Sequence, residues 1–311
     1  MDLSQKHIGT KKVFHGYLGS RSDLSRNLCF VPLISKDLGC SVQIVSNQKS
    51  SEQHDQLKSI RAHTPVAVRA IVKARKPSQQ DLGNIKKIQD VELELVEIYA
   101  LNDFPEDIIM KEDTNFPPEQ RHLQIRTDKS LRDALSLRDR VMSVSRTVLR
   151  KGNDFLEVET PLLFRSTPEG AREFLVPTRA KGFAYALPQS PQQYKQILMA
   201  SGIPKYFQFA RCFRDEDHRA DRQPEFTQVG PSSINLFARL KCRQLDMEMS
   251  FATGQDVIQV VEQLIVHLWR NLLGITLRSP FPRMTYHDAM SQYGSDKPDL
   301  RLGMEVSMQS P

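Results

Sequence analysis

Apolar and polar residues change rhythm along this chain. From Lys11 to Tyr99, short runs alternate with a period near two: KVFHGYL, NLCFVPLI, CSVQIVS, VAVRAIVKA and VELELVEIYA. Alternation of this kind puts successive side chains on opposite faces and predicts five β-strands. Between the third and fourth runs, SSEQHDQLKSI is mostly polar and predicts a short helix. From Asn102 to Ser130 the chain carries Pro105, Pro117, Pro118 and many charges without a sustained period, which predicts a hinge. The period then lengthens. In LRDRVMSVSRTVLRKGN, Leu137, Val141, Val144 and Val148 recur at helical spacing, with Gly152 as the predicted stop. A strand-like FLEVE ends at Thr160-Pro161, followed by the polar loop RSTPEGAREF, a helix in QQYKQILMAS and a strand in YFQFARCF. Further on, Val257, Val261, Leu264, Leu268 and Leu272 fall on one face of a predicted amphipathic helix.

Five strands with a helix between the third and fourth is the order of an OB-fold barrel. Such a barrel serves as an oligonucleotide reader or as a structural module, and periodicity does not separate the two. Helices beside separated strands in the second half predict an α+β domain with a largely antiparallel sheet. The expected organisation is a barrel over residues 1–104, a hinge over 105–135 and an α+β domain over 136–311.

Composition narrows this picture only slightly. Of 311 residues, 39% are hydrophobic and 26% charged, which suits a globular chain rather than a disordered one. The net charge of +6 is a modest basic excess that names no partner by itself. Cys29, Cys40, Cys212 and Cys242 form no CxxC pair and read as free thiols of a reducing compartment. No run is apolar for the length a bilayer requires, so no membrane partner is expected. The first residues, MDLSQKHIGTKK, lack the apolar block of a secretory signal and match a mitochondrial presequence poorly.

The densest chemistry lies in FRDEDHRADRQPEFTQ, Phe213 to Gln228. A solvated turn laced with ion pairs, each worth about 0–1 kcal/mol, is the plain reading. Two features oppose it. Arg214 ends an apolar strand, where a charge is costly without a partner, and Phe226 offers a π-face to a base. Arginine for phosphate and an aromatic for a base are what nucleotide recognition requires.

This stretch resembles motif 2 of class II aminoacyl-tRNA synthetases, in the aspartyl form of bacterial and mitochondrial type. FLEVETPLL is similar to motif 1, ending at Pro161, and STPEGAREFLVP, LPQSPQQYKQILM and YGSDKPDLRLGME are similar to further stretches of that family. The resemblance implies a class II antiparallel-sheet domain behind an OB-fold anticodon domain. It implies ATP with Mg²⁺, L-aspartate and tRNA(Asp) as reactants, an aspartyl-adenylate intermediate, and a homodimer with Pro161 at its interface. By the same resemblance, Arg214 contacts the α-phosphate, Glu216 lies beside ATP or its magnesium, Phe226 stacks under adenine and Gln228 lies near the nucleotide. Glu169 closes over the aspartate ammonium. Gln192 and Lys195 hold the amino acid, Lys195 by its side-chain carboxylate, and Asp246 lies near its ammonium. In the barrel, Phe30 and Gln43 match anticodon-base contacts, and Arg21 stands where the family has a fuller basic cluster. The plain alternatives are a core phenylalanine at Phe30 and an exposed helix lysine at Lys195.

Two departures stand beside the matches. The family's motif 3, a Gly-rich strand and helix with an ATP-binding arginine and nearby magnesium ligands, is not found before Pro311. This makes a non-catalytic tRNA-binding derivative the rival reading. Asparaginyl and non-discriminating enzymes are the closer alternatives. Second, FTQ leads into VGPSSINLFARLKCRQ before LDMEMSF, an insert over residues 229–244 expected to break strand pairing and displace Asp246. Joining Gln228 to Leu245 restores the family pattern. Valine codons begin with GT and a glutamine codon can be CAG, so the insert reads as a translated intron. That implies a eukaryotic source and a mitochondrial-matrix enzyme, with the cytoplasm as the alternative.

Overall fold

The computed structural model describes residues 3–47, 51–75, 85–105, 108, 116–166, 172–213, 215, 225–226 and 244–306. They form two compact units, Met1–Arg132 and Asp133–Pro311, divided within the segment expected to be a hinge.

The first unit contains β1 (Lys11–Leu18), β2 (Ser22–Ser25), β3 (Leu28–Ser35), β4 (Cys40–Asn47), α1 (Ser51–Ser59), β5 (Pro65–Ala74) and β6 (Lys86–Ala100). The five strands expected from alternation are present. β2 is an addition, since SDLS is fully exposed and carries no burial pattern. Pairing runs β1-β5-β6-β4-β3-β2, and β1 also pairs with β3 over Gly16↔Ser35 to Leu18↔Leu33, so the pairing returns to its start. β4 and β6 pair in parallel and the other neighbours are antiparallel. Inward positions such as Leu18, Val31, Leu33, Ile44, Val68 and Leu93 are almost wholly buried and make one core. The unit closes with α2 (Arg121–Thr127), whose Arg126 guanidinium lies 4.0 Å from the centre of the Tyr17 ring.

Gly16 sits where β1 meets both β3 and β5. A Cβ at this position would stand 2.3 Å from the Ile34 carbonyl oxygen. That oxygen belongs to a paired strand and cannot swing aside as a flexible side chain would. Gly16→Ala is therefore expected to destabilise this unit by about 1–3 kcal/mol or more, read as a lower urea midpoint. An unchanged midpoint would show that the β1–β3 contact is looser than described.

The long helix α3 (Lys129–Asn153) leads into the second unit. It runs through the predicted stop at Gly152, and Asp154 takes the left-handed backbone instead, at φ 58°. Asn153 Nδ2 and Lys205 Nζ donate to the carbonyls of Val148 and Asn153, at 3.1 and 3.0 Å, and so help satisfy the helix end. Next come β7 (Leu156–Glu157), β8 (Leu175–Pro177), β9 (Ala184–Ala186), α4 (Gln192–Ala200), β10 (Lys205–Ala210), β11 (Cys212–Phe213), β12 (Glu225–Phe226), β13 (Gln244–Met249), α5 (Gly254–Leu273) and α6 (Tyr286–Tyr293). The main sheet runs β13-β10-β7, with β10–β13 antiparallel and β10–β7 parallel. YFQFARCF is thus two strands, broken at Arg211.

One face of this sheet is apolar. Phe207, Phe209, Leu245, Met247 and Met249 pack with Leu149 and Val260. Val141 and Val148 of α3 pack with Leu264 and Leu268 of α5. The buried stripe of α5 is Val260-Leu264-Leu268, whereas Val257, expected on it, is 43% exposed in the first turn. Thr253 and Asp256 cap that helix reciprocally, and Gly274 ends it at φ 70°. Among the described residues, no helix is long and apolar enough to cross a membrane.

Candidate active site

The opposite face of the same sheet is polar, and strand register explains how. β10 and β13 pair Tyr206 with Glu248 and Gln208 with Asp246. Directly opposed residues share a face, so these four side chains line one surface. α4 supplies Lys195 above it. Lys195 Nζ lies 3.1 Å from Asp246 Oδ1 and 3.1 Å from Glu248 Oε2. The Lys195 and Asp246 side chains are only 12% and 8% exposed, so this is not an exposed helix lysine.

Burial is the largest single influence on protonation here. With Glu248 it holds the Asp246 carboxyl above its usual value, although neighbouring Lys195 lowers it. Burial alone would lower the Lys195 ammonium, but Asp246 and Glu248 together hold it above the usual lysine value. The Tyr206 hydroxyl is pushed far up by burial, then by Asp246, Cys212 and Glu248, and is neutral at physiological pH. Among the described residues, Asp246 Oδ2 and the Tyr206 hydroxyl are buried without a hydrogen-bond partner. Unpartnered buried polar atoms are costly, and these two face a site where a ligand group or water can satisfy them.

The same face reaches the end of the motif 1 stretch. Gln208 accepts from the Thr160 backbone N–H at 3.0 Å, and its amide nitrogen lies 2.9 Å from Thr160 Oγ1. This pins the residue before Pro161, which is itself exposed. Gln192 opens α4, half-buried, three residues before Lys195 and on the same side of the helix.

Glu169, Arg214, Glu216 and Gln228 lie outside the described residues, and Phe226 is described only as a residue of β12 opposite Cys212. Of the expected amino-acid ligands, Lys195 and Asp246 are in contact. The insert does not displace Asp246 from Lys195, because β13 pairs with β10 from Gln244↔Ala210 onward and holds Asp246 in register. Tyr206, Gln208 and Glu248 were not among the sequence candidates. Their signal was present: YFQF and LDMEM each carry polar-tipped residues at every second position.

In the first unit, Phe30 is half-buried and stands apart from the core of the unit, because Cys29 and Val31 take the inward positions. Phe30 opposes Val45, and Pro32 opposes Gln43, so Phe30 and Gln43 share the outward face. Arg21 precedes Ser22, which pairs with Phe30. Its guanidinium is held by Asp23 at 3.1 Å and by the Lys58 carbonyl of α1. Among the described residues, no group of three or more His, Cys, Asp or Glu is placed to hold a metal ion.

This architecture is shared with asparaginyl-tRNA synthetase from Pyrococcus horikoshii, solved with asparaginyl-adenylate. The two superpose with a TM-score of 0.67 at 21% identity, over 87% of this chain and 56% of that one. The fold is thus that of a class II aminoacyl-tRNA synthetase. The family model described as tRNA synthetases class II (D, K and N) matches residues 113–231 and 239–310, and the chain belongs to that family. The match breaks between 231 and 239, inside the 229–244 segment. The aspartate–tRNA(Asp/Asn) ligase of Natranaerobius thermophilus is 39% identical over 98% of this chain and 49% of its own length. The aspartate–tRNA ligase of Ruminiclostridium cellulolyticum is 40% identical over 98% of this chain and 49% of its own length. The chain spans about half the length of these curated relatives.

Proposed function

We propose that this chain carries the amino-acid-binding half of an aspartate–tRNA ligase, which joins L-aspartate to tRNA(Asp) through aspartyl-adenylate. The observation that carries this is the buried Lys195–Asp246 contact, with Asp246 Oδ2 unpartnered among the described residues. A cation and an anion side by side match a ligand that brings a carboxylate and an ammonium. Aspartate does so, and its side-chain carboxylate distinguishes it from asparagine at Lys195. ATP would enter as its magnesium complex, with Arg214 on the α-phosphate, Glu216 beside it, Phe226 under adenine and Gln228 nearby. No protein nucleophile is required, because the substrate carboxylate attacks phosphorus in line. Glu169 would close over the ammonium.

Aspartate-dependent ATP–pyrophosphate exchange by the protein containing this chain tests the reading. tRNA binding without exchange is the outcome expected of the non-catalytic rival. The relatives' names support both a tRNA(Asp) enzyme and one that also charges tRNA(Asn), and parallel charging assays with the two tRNAs separate them. Pro161, exposed beyond the pinned Thr160, is the proposed edge of a homodimer interface.

The ring of pairings in the first unit, with β4 and β6 parallel, supports the OB-fold reading. Phe30 and Gln43 on its outward face are the proposed anticodon contacts. Phe30→Ala is expected to weaken tRNA(Asp) binding by about 1–3 kcal/mol with the fold intact, because Phe30 lies outside the core. Binding should also fall steeply with salt as phosphate contacts release counterions. Unchanged affinity would remove Phe30 from the interface.

Residues 229–244 are proposed to be a translated intron, which makes the source eukaryotic and the mitochondrial matrix the proposed location. The break in the family match inside this segment supports the idea. Mature transcripts spanning codon 228 are expected to join Gln228 directly to Leu245. Transcripts that all retain the segment would end this reading and the argument for mitochondria with it.

A further inference from the structure

β2 and β3 are joined by the two-residue turn Arg26-Asn27, closed by the pair Ser25↔Leu28. Two-residue hairpins favour primed turns, which need positive φ at one or both central residues. Neither Arg26 nor Asn27 has positive φ, and the ladder shifts register between Asp23 and Ser25. Inside the turn the Asn27 N–H donates to Ser25 Oγ at 3.2 Å, and a further restraint reaches it from outside.

The restraint comes from α1. His54 is buried, at 2% exposure, although it lies on a mostly polar helix. Its Nε2 lies 3.1 Å from the Arg26 carbonyl oxygen. A carbonyl only accepts, so Nε2 carries the proton, and in the neutral ring Nδ1 accepts from Ser46 Oγ at 2.9 Å. Cys29 Sγ, on the strand partner of Ser46, lies 3.9 Å from the same nitrogen. Lys58, one turn further along α1, donates to the same Arg26 carbonyl at 2.8 Å. Two donors from one helix thus converge on a single oxygen of an exposed turn. From that turn the chain runs directly into β3 and Phe30.

We propose that His54 is a positioning residue for nucleic-acid binding. Through the Arg26 carbonyl it presets the Arg26-Asn27 turn, so that the exposed Arg26 and the outward Phe30 meet RNA in a fixed arrangement. This rests on the reading of the first unit as an RNA-binding domain. Preorganisation of this kind raises affinity by removing the ordering cost from the binding step.

The two arms of the imidazole can be tested separately. Glutamine places an amide nitrogen near the position of Nε2 and keeps the donor to Arg26, whereas asparagine reaches only the Nδ1 position and keeps the Ser46 arm. Both are polar and of similar effect on a role confined to packing. With the 311-residue chain and a synthetic tRNA(Asp) anticodon stem-loop, His54→Gln is expected to bind within about threefold of the parent. His54→Asn is expected to bind about tenfold more weakly. Equal affinity of the two variants, weak or strong, overturns the proposal. Where His54→Asn does not fold, His54→Ser is compared with His54→Gln in its place. Serine cannot reach the Arg26 carbonyl, so weaker binding than His54→Gln supports the proposal and equal binding overturns it. Phe30→Ala, measured alongside, separates this from the reading beneath it. If Phe30→Ala binds less well while the His54 variants match each other, only the positioning role fails. If Phe30→Ala binds normally while the His54 variants differ, the turn is preset but Phe30 is not its beneficiary.

Discussion

Lys195→Met is expected to destabilise the second unit by about 3–5 kcal/mol near neutral pH, the range for breaking a buried ion pair from one side. The loss is large because Lys195 is shared. Its removal leaves Asp246, 8% exposed, beside Glu248 without the cation that bridges them. The pH dependence follows from the Asp246 carboxyl, which is already raised by burial. Without Lys195 it rises further, so the folded form keeps a proton that the unfolded chain releases. The penalty is then small at pH values where both forms are protonated. It stays constant through the ordinary carboxylate range, where both folded proteins keep the proton, grows once pH passes the parent's own raised Asp246 value, and levels off above the variant's still higher one. In the parent protein the raised Lys195 ammonium acts in the other direction. Its contribution is complete below the ordinary lysine value and is lost as pH rises through the folded one. Urea unfolding of parent and variant across this range is the measurement, and a penalty independent of pH would count against the buried-charge account. Adding Asp246→Asn to the variant should recover part of the loss, since it removes the stranded charge. On the proposed function, Lys195→Met in the protein containing this chain should also raise the KM for aspartate far more than that for ATP, a charged hydrogen bond being worth about 1.5–3 kcal/mol. Equal effects on both substrates would place Lys195 outside the aspartate pocket.

Phe207→Ala is expected to cost a similar amount, about 3–5 kcal/mol, by an unrelated route. Phe207 is fully buried on the apolar face of the sheet, among Leu149, Phe155 and Val260. Its ring meets those of Phe155 and Phe209 edge-on, at 6.4 and 6.2 Å between centroids. Truncation removes these contacts and leaves a cavity enclosed by paired strands and two helices, which cannot collapse freely. Because Phe207 lies between Tyr206 and Gln208 on β10, loosening it also disturbs the strand that holds Asp246 in register. The expected result is a lower unfolding midpoint with weaker aspartate binding, whereas Phe209→Ala, at a half-buried position, should do less. A loss below about 1 kcal/mol for Phe207→Ala would mean that this face is not the core of the unit.

The sequence by itself determined the elements whose signal is local. Alternation in CSVQIVS or VELELVEIYA is enough for a strand, because one face of each is buried whatever its neighbours are. The long helices were readable for the same reason at a different period. β2 was not readable, since SDLS is exposed on both faces and is a strand only because β3 offers it a hydrogen-bonded edge. The stripe of α5 departs from its period at Val257, which is 43% exposed in the first turn. Lys195 and Asp246 were each nameable from motif resemblance, but not their contact with one another. They are separated in sequence by 51 positions, and only the β10–β13 register brings them together. That register also decided that Tyr206, Gln208 and Glu248 share their face. Likewise, SSEQHDQLKSI puts His54 on the same face as Leu57, but does not show what the imidazole bonds to. Its partners come from β3, β4 and the turn before β3, and a mostly polar helix acquires a buried histidine only where distant segments supply Ser46 and the Arg26 carbonyl to satisfy it. Short-range periodicity is written into consecutive residues. A polar site depends on which distant backbones lie side by side, and here only the tertiary structure decided that.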